Sequence, residues 1–217
     1  MRSYAKGHTE RFSDRRAAGR ALAARLERLE LEAPVVIALP RGGVPVAHEV
    51  AQALGAPLDI ALVRKLGAPG QPELGVGALG EDGTMILDRV GIASLGISRD
   101  QIQGVVEHEA AELARRRRLY RGDRPPVDVD GRTVVLIDDG IATGVTAIAA
   151  ARMLGERGAT RTITAVPVCP ASALGHLRDE LGELICLQCP PRFGGVGAWY
   201  DDFTQTSDAE VVALLRD

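Results

Sequence analysis

The sequence predicts an α/β protein: an open, mostly parallel, twisted sheet flanked by helices. Short apolar runs of strand length alternate with longer segments whose apolar residues recur at helical spacing, as a parallel sheet with crossover helices requires. Twice, at Pro40 and at Asp138, such a run stops in a glycine-bearing turn that opens a helix. Each turn therefore brings backbone N–H groups to the carboxyl end of a strand, where open α/β sheets take their ligands.

In chain order, helical periodicity begins over Ser13 to Leu29, with Ser13 or Asp14 as the capping residue. A strand over Val35 to Leu39 is broken by Pro40-Arg41-Gly42-Gly43, a helix covers Val44 to Leu54, and a second strand runs from Leu58 to Val63. The glycine- and proline-rich stretch Lys65 to Gly83 predicts a mobile hairpin or lid rather than packed core, with Ile86-Leu87 ending the hairpin. Ser98 to Tyr120 makes a long polar helix, and Arg121 to Gly131, with its prolines and alternating acids, is expected to be an exposed connector. Val134 to Ile137 is a strand buried on both faces, a helix spans Val145 to Arg157, and Ile163 and Leu184 mark two later strands. From Pro190 onward the chain holds Phe193, Trp199, Tyr200 and Phe203, four of its seven aromatic residues, as either a packing clasp or a base-binding wall.

Composition narrows the partners. At 217 residues and 46% hydrophobic, the chain can bury a full core and is expected to form one domain over 1–217. Its 26 basic and 29 acidic residues are nearly balanced, so no electrostatic drive favours nucleic acid or an anionic membrane, and a small-molecule partner fits better. No apolar run approaches a membrane span and the N-terminal residues lack a secretory core, so the expected location is the cytoplasm. Cys169, Cys186 and Cys189 are too few for a disulfide framework. The CLQC spacing lacks a second Cys pair or a nearby His pair, so a structural role is expected. His8, His48, His108 and His176 show no ligand spacing.

The chemistry concentrates in VVLIDDGIATGVT, Val134 to Thr146. An apolar strand delivers Asp138 and Asp139, and Gly140, Thr143, Gly144 and Thr146 then form a turn whose N–H groups and hydroxyls can converge on one anion. Carboxylates repel a phosphate, so the two aspartates suit sugar hydroxyls, or water around a magnesium ion. A Walker loop would need Gly-Lys-Ser/Thr, and a dinucleotide fingerprint would place its glycines before the acid; neither occurs. The segment LPRGGVPVA, Leu39 to Ala47, places Arg41, Gly42 and Gly43 at another strand end, where bare backbone can approach a diphosphate. Arg64 and Lys65 follow the second strand, and Lys65 is one of two lysines among twenty-four arginines. The run Arg115 to Arg118 spans all faces of a helix and is expected to pair with Glu107, Glu109 and Glu112.

These motifs resemble the type I phosphoribosyltransferases: an apolar run, two acids and a Thr-Gly phosphate loop, with a second loop for pyrophosphate. The resemblance implies that family's fold, with a small hood drawn from 1–12 and 190–217 and a flexible lid at 65–83. It implies transfer of a ribosyl 5-phosphate group from magnesium-bound phosphoribosyl pyrophosphate to a nitrogen nucleophile, with release of pyrophosphate. Asp138 and Asp139 would serve the ribose hydroxyls and favour positive charge on the ring. Thr143, Gly144, Val145 and Thr146 would hold the 5-phosphate, with Gly140, Ile141 and Ala142 completing the substrate-binding loop, while Arg41, Gly42 and Gly43 with Lys65, and Arg64 beside it, would hold pyrophosphate, Lys65 being catalytic with Asp138 and Asp139. Magnesium would ride on the diphosphate, reaching Asp138 and Asp139 through water rather than by direct ligation. In 6-oxopurine members the residue before the Thr-Gly is usually aspartate; here it is Ala142, which cannot move a proton, so hypoxanthine and guanine are disfavoured and the acceptor stays unnamed. The resemblance also admits a non-catalytic sensor of phosphoribosyl pyrophosphate, and self-association as a homodimer or other homo-oligomer.

Overall fold

The structure, a computed structural model, describes residues 11–217. The strands are β1 (Val35–Ala38), β2 (Leu58–Ile60), β3 (Val63–Ala68), β4 (Gln71–Gly80), β5 (Met85–Leu87), β6 (Thr133–Ile137), β7 (Arg161–Val168) and β8 (Glu183–Gln188). The helices are α1 (Arg15–Leu26), α2 (Gly43–Leu54), α3 (Arg89–Ser94), α4 (Arg99–Arg121), α5 (Val145–Glu156), α6 (Leu174–Leu181) and α7 (Asp208–Leu214).

Five strands form a parallel sheet in the order β2-β1-β6-β7-β8, as the alternation of strand and helix predicts. From β1 the chain moves outward to β2, and from β6 it moves outward the other way to β7. The order thus reverses between β1 and β6, which opens a crevice at their carboxyl ends. Both strands are buried along their apolar length because both faces are covered. Val36 and Ala38 pack with Leu22, Leu26, Val46 and Val50 on one face, while Val35 and Ile37 pack with Ala150, Met153 and Leu154 on the other. Leu22 and Leu26 are fully buried, and each contributes roughly 1.5–3 kcal/mol from removal of apolar surface from water.

Asp14 caps α1 by accepting from Ala17 N, and Ser98 forms a capping box with Gln101 at the start of α4, so the caps fall where the sequence puts them. Four expectations change. The second strand ends at Ile60, and Val63 instead begins an antiparallel arm, β3-β4-β5. The stretch 65–83 does form a hairpin, but Leu66 and Ala68, and Val76 and Ala78, are buried as alternate residues that turn one face of the arm toward the body, and Leu79 is buried at its end. The apolar run Leu184-Ile185-Cys186-Leu187 reads as a buried strand, but β8 is only half-buried, since it lies at the sheet edge with one neighbour. The connector after α4 is mostly exposed, as expected, but Arg121 at its head is buried, with Nε 3.2 Å from Asp59 Oδ1 and a second ion pair to Glu81 of the loop after β4. Of the segment 1–12 expected in a hood, residues 1–10 lie outside the described residues.

Candidate active site

The reversal of strand order sets the two glycine-bearing loops side by side. Leu39 N, just past β1, donates to Ile137 O at the end of β6 at 2.8 Å, joining the two strand ends. The turn Pro40 to Gly42, whose Pro40–Arg41 peptide is cis, lies against the acidic pair. A Cβ on Gly42 would collide with Asp139 Oδ2, and one on Gly43 would stand 2.8 Å from Ile137 O. Glycine is required at both because the second loop occupies the space a side chain would fill.

Asp138 and Asp139 leave β6 together, and Asp139 N donates to Asp138 Oδ1 at 2.8 Å. Burial pushes the Asp138 carboxyl well above the usual carboxylate range, and the adjacent Asp139 charge raises it further. Burial raises Asp139 as well, opposed by Arg15, whose Nε donates to Asp139 Oδ2 at 2.8 Å. Arg15 also donates to Thr204 O at 2.8 Å, and its guanidinium lies 3.9 Å from the centroid of the Phe203 ring. The Tyr200 hydroxyl donates to Asp139 O, and burial pushes that phenol strongly upward, so it remains a donor.

The loop after the acids encloses a cavity of about 180 Å³ lined by Asp138, Ala142, Thr143, Gly144, Thr146 and, from the tail, Val196. Thr143 is exposed, and Gly144 adopts φ 84°, a conformation that favours glycine, immediately before α5. The first N–H groups of a helix have no intrahelical acceptor, so this turn presents donors to an anion. Ile141 N is not among them, since it donates to Val168 O at 3.0 Å.

The basic residues divide. Arg41 stays with the paired loops, its Nη1 3.5 Å from Asp208 Oδ1 at the start of α7. Asp208 also accepts from Tyr120, whose phenol is pushed up to about 12 by burial and by that carboxylate. Arg64 is engaged by Glu109 of α4, and Lys65 Nζ donates to Glu73 O across the arm at 2.9 Å. In the run Arg115 to Arg118, Arg115 and Arg116 pair with Glu112, as the helical spacing predicts, and hold that carboxyl down at about 2.

Arg15 and Asp208 carry no motif, and nothing in the sequence distinguishes Arg15 from the other arginines. Only Asp14, as a helix cap, fixed that part of the chain. The tail aromatics act as a clasp: Phe12 and Tyr200 pair as an isolated parallel bridge with ring centroids 5.6 Å apart, and Tyr200 and Phe203 stand 5.1 Å apart.

Residues 8–194 match the family model described as phosphoribosyl transferase domain. The chain belongs to the phosphoribosyltransferase family. Two curated relatives, from two strains of Mycobacterium tuberculosis, are each 46% identical over 204 residues, covering 94% of this chain and 46% of their own length. The chain thus spans about half the length of these relatives, each of which bears the name "Putative phosphoribosyl transferase". The crystal structure of TT1426 from Thermus thermophilus superposes with a TM-score of 0.84 at 43% identity, covering 94% of this chain and 97% of that one. Among the described residues, no helix is long and apolar enough to cross a membrane.

Proposed function

We propose that this chain transfers the 5-phosphoribosyl group of phosphoribosyl pyrophosphate to a nitrogen nucleophile, releasing pyrophosphate. One observation carries the reading: the Arg41–Gly43 turn and the Asp138–Thr146 loop meet at the reversal of strand order, with Gly42 packed on Asp139. A donor with phosphate at one end and diphosphate at the other matches two adjacent anion loops separated by acids. In this assignment the Gly140–Thr146 turn binds the 5-phosphate through N–H groups and the Thr143 and Thr146 hydroxyls. Asp138 and Asp139 accept from the ribose hydroxyls and favour positive charge on the ring. Arg41 and the N–H groups of Gly42 and Gly43 hold the departing diphosphate, and Arg64 and Lys65 join them once released from Glu109 and Glu73. Positioning and electrostatics then carry most of the rate acceleration.

Magnesium fits the residues present. Asp138 and Asp139 are an oxygen-only pair whose buried negative charge is costly unless a cation offsets it. Bound to the diphosphate, magnesium supplies neutralisation of the leaving group. Ala142 is exposed at the loop and offers no proton acceptor, which supports an acceptor other than a 6-oxopurine.

Calorimetry with phosphoribosyl pyrophosphate and magnesium, followed by a pyrophosphate-release screen across bases and amines, tests this reading. The expected result is binding lost in Asp139→Ala and turnover with at least one acceptor. Binding without turnover across the screen would instead support a sensor of the same ligand. No binding, with Asp139→Ala indistinguishable from the parent, would sink both.

A further inference from the structure

The CLQC motif finds its missing partner in the fold. The parallel pairing of β7 with β8 sets Val168 opposite Gln188, so Cys169, just past the end of β7, meets Cys186 within β8 and Cys189 just past its end. The three sulfurs lie within 4.8 Å of one another, and Cys169 Sγ is 3.8 Å from Cys189 Sγ. Two thiolates bound tetrahedrally to zinc at about 2.3 Å each stand about 3.8 Å apart, whereas a disulfide needs about 2.05 Å. From this geometry we infer that Cys169, Cys186 and Cys189 form a three-thiolate site for a zinc-class divalent ion, with water in the fourth position.

The surroundings fit that ion. Three sulfur donors without oxygen or imidazole favour soft and borderline metals over magnesium. Cys169 is buried in the core shared with Leu177 and Leu181, while Cys186 and Cys189 are half-buried, which leaves a route from the sheet edge. A divalent ion with three thiolates carries one net negative charge, and Arg178 of α6 acts electrostatically on both Cys169 and Cys189. A monovalent soft ion would leave two negative charges against the one guanidinium. The site also has a structural consequence. Val168, adjacent to Cys169, accepts from Ile141 of the phosphate loop, and Cys189 leads through Pro190 into the tail whose Tyr200 holds Asp139 O. A bound ion therefore staples the two strand ends that support the candidate active site.

The test is a Co2+ titration of the reduced, metal-free protein, reading thiolate-to-cobalt charge transfer, with displacement by Zn2+ and thermal melting alongside. The expected result is saturation at one ion per chain, displacement by Zn2+, and a higher melting temperature with Zn2+ bound. Cys189→Ser and Cys186→Ser, at the half-buried positions, should keep the parent circular dichroism and bind at least about 100-fold more weakly, the upper end of what loss of an outer-shell partner costs. Absence of the charge-transfer band overturns the inference, as does saturation unchanged in both variants. So does oxidation to a Cys169–Cys189 disulfide in a protein whose reduced form takes up no Co2+.

Discussion

Replacing Arg15 by methionine keeps the aliphatic stem and removes the cation from Asp139. The pair is largely desolvated, with side chains 10% and 13% exposed, and its Nε–Oδ2 distance is 2.8 Å. At an effective dielectric near 20, two unit charges at that separation attract by about 6 kcal/mol before desolvation is counted. Removing one partner of a buried pair costs about 3–5 kcal/mol, because the other charge stays buried and unpaired. The lower value, about 3 kcal/mol, applies here because an unpaired Asp139 can relieve itself by taking a proton. An unfolding entropy of about 0.46 kcal/mol/K for 217 residues converts that loss to a melting-temperature drop of roughly 7 °C. Arg15 lowers the Asp139 pKa, so without it Asp139 holds its proton to higher pH and the deficit grows as pH rises through the native Asp139 pKa. Urea unfolding of the parent, Arg15→Met, Asp139→Asn and the double variant measures the coupling. A deficit under about 1 kcal/mol at the higher pH, or one independent of pH, would refute the claim that Arg15 neutralises a buried Asp139.

Asp138→Asn should stabilise the fold increasingly toward alkaline pH while abolishing phosphoribosyl pyrophosphate binding. The native Asp138 pKa is raised, so its contribution is full below the unfolded value of about 3.9 and is lost as pH rises through the native value. Parallel stability-against-pH curves for parent and variant would contradict this. Gly42→Ala forces a methyl into the space of Asp139 Oδ2 and should lower stability by about 1–3 kcal/mol, with calorimetric loss of ligand binding; a variant matching the parent in both would show that the loops are not locked together. Arg121→Met leaves Asp59 and Glu81 buried without their cation and should cost about 3–5 kcal/mol in urea unfolding, and a change within about 0.5 kcal/mol would remove Arg121 as the tie between β2 and the arm.

Much of this molecule is legible from local chemistry. Parallel strands such as β1 and β6 are apolar on both faces, so their runs stand out without any long-range information. Helix starts at Asp14 and Ser98 are legible because caps are local hydrogen bonds. The arm is less legible: its glycines suggest mobility, yet the burial of Leu66 and Val76 depends on what packs against them. The burial of Arg121 is hidden for the same reason, since its partners Asp59 and Glu81 lie 62 and 40 residues away in sequence.

By itself, then, the sequence determined the α/β class, the two loops and the acidic pair, because each is a contiguous string whose geometry follows from a strand stopping in a helix-opening turn. Only the tertiary structure decided that the loops are neighbours, that Arg15 and Tyr200 bind Asp139, and that Cys169 joins Cys186 and Cys189. The order β2-β1-β6-β7-β8 makes those contacts, and strand order is set by how the whole chain shares its buried surface, which no short stretch of residues encodes.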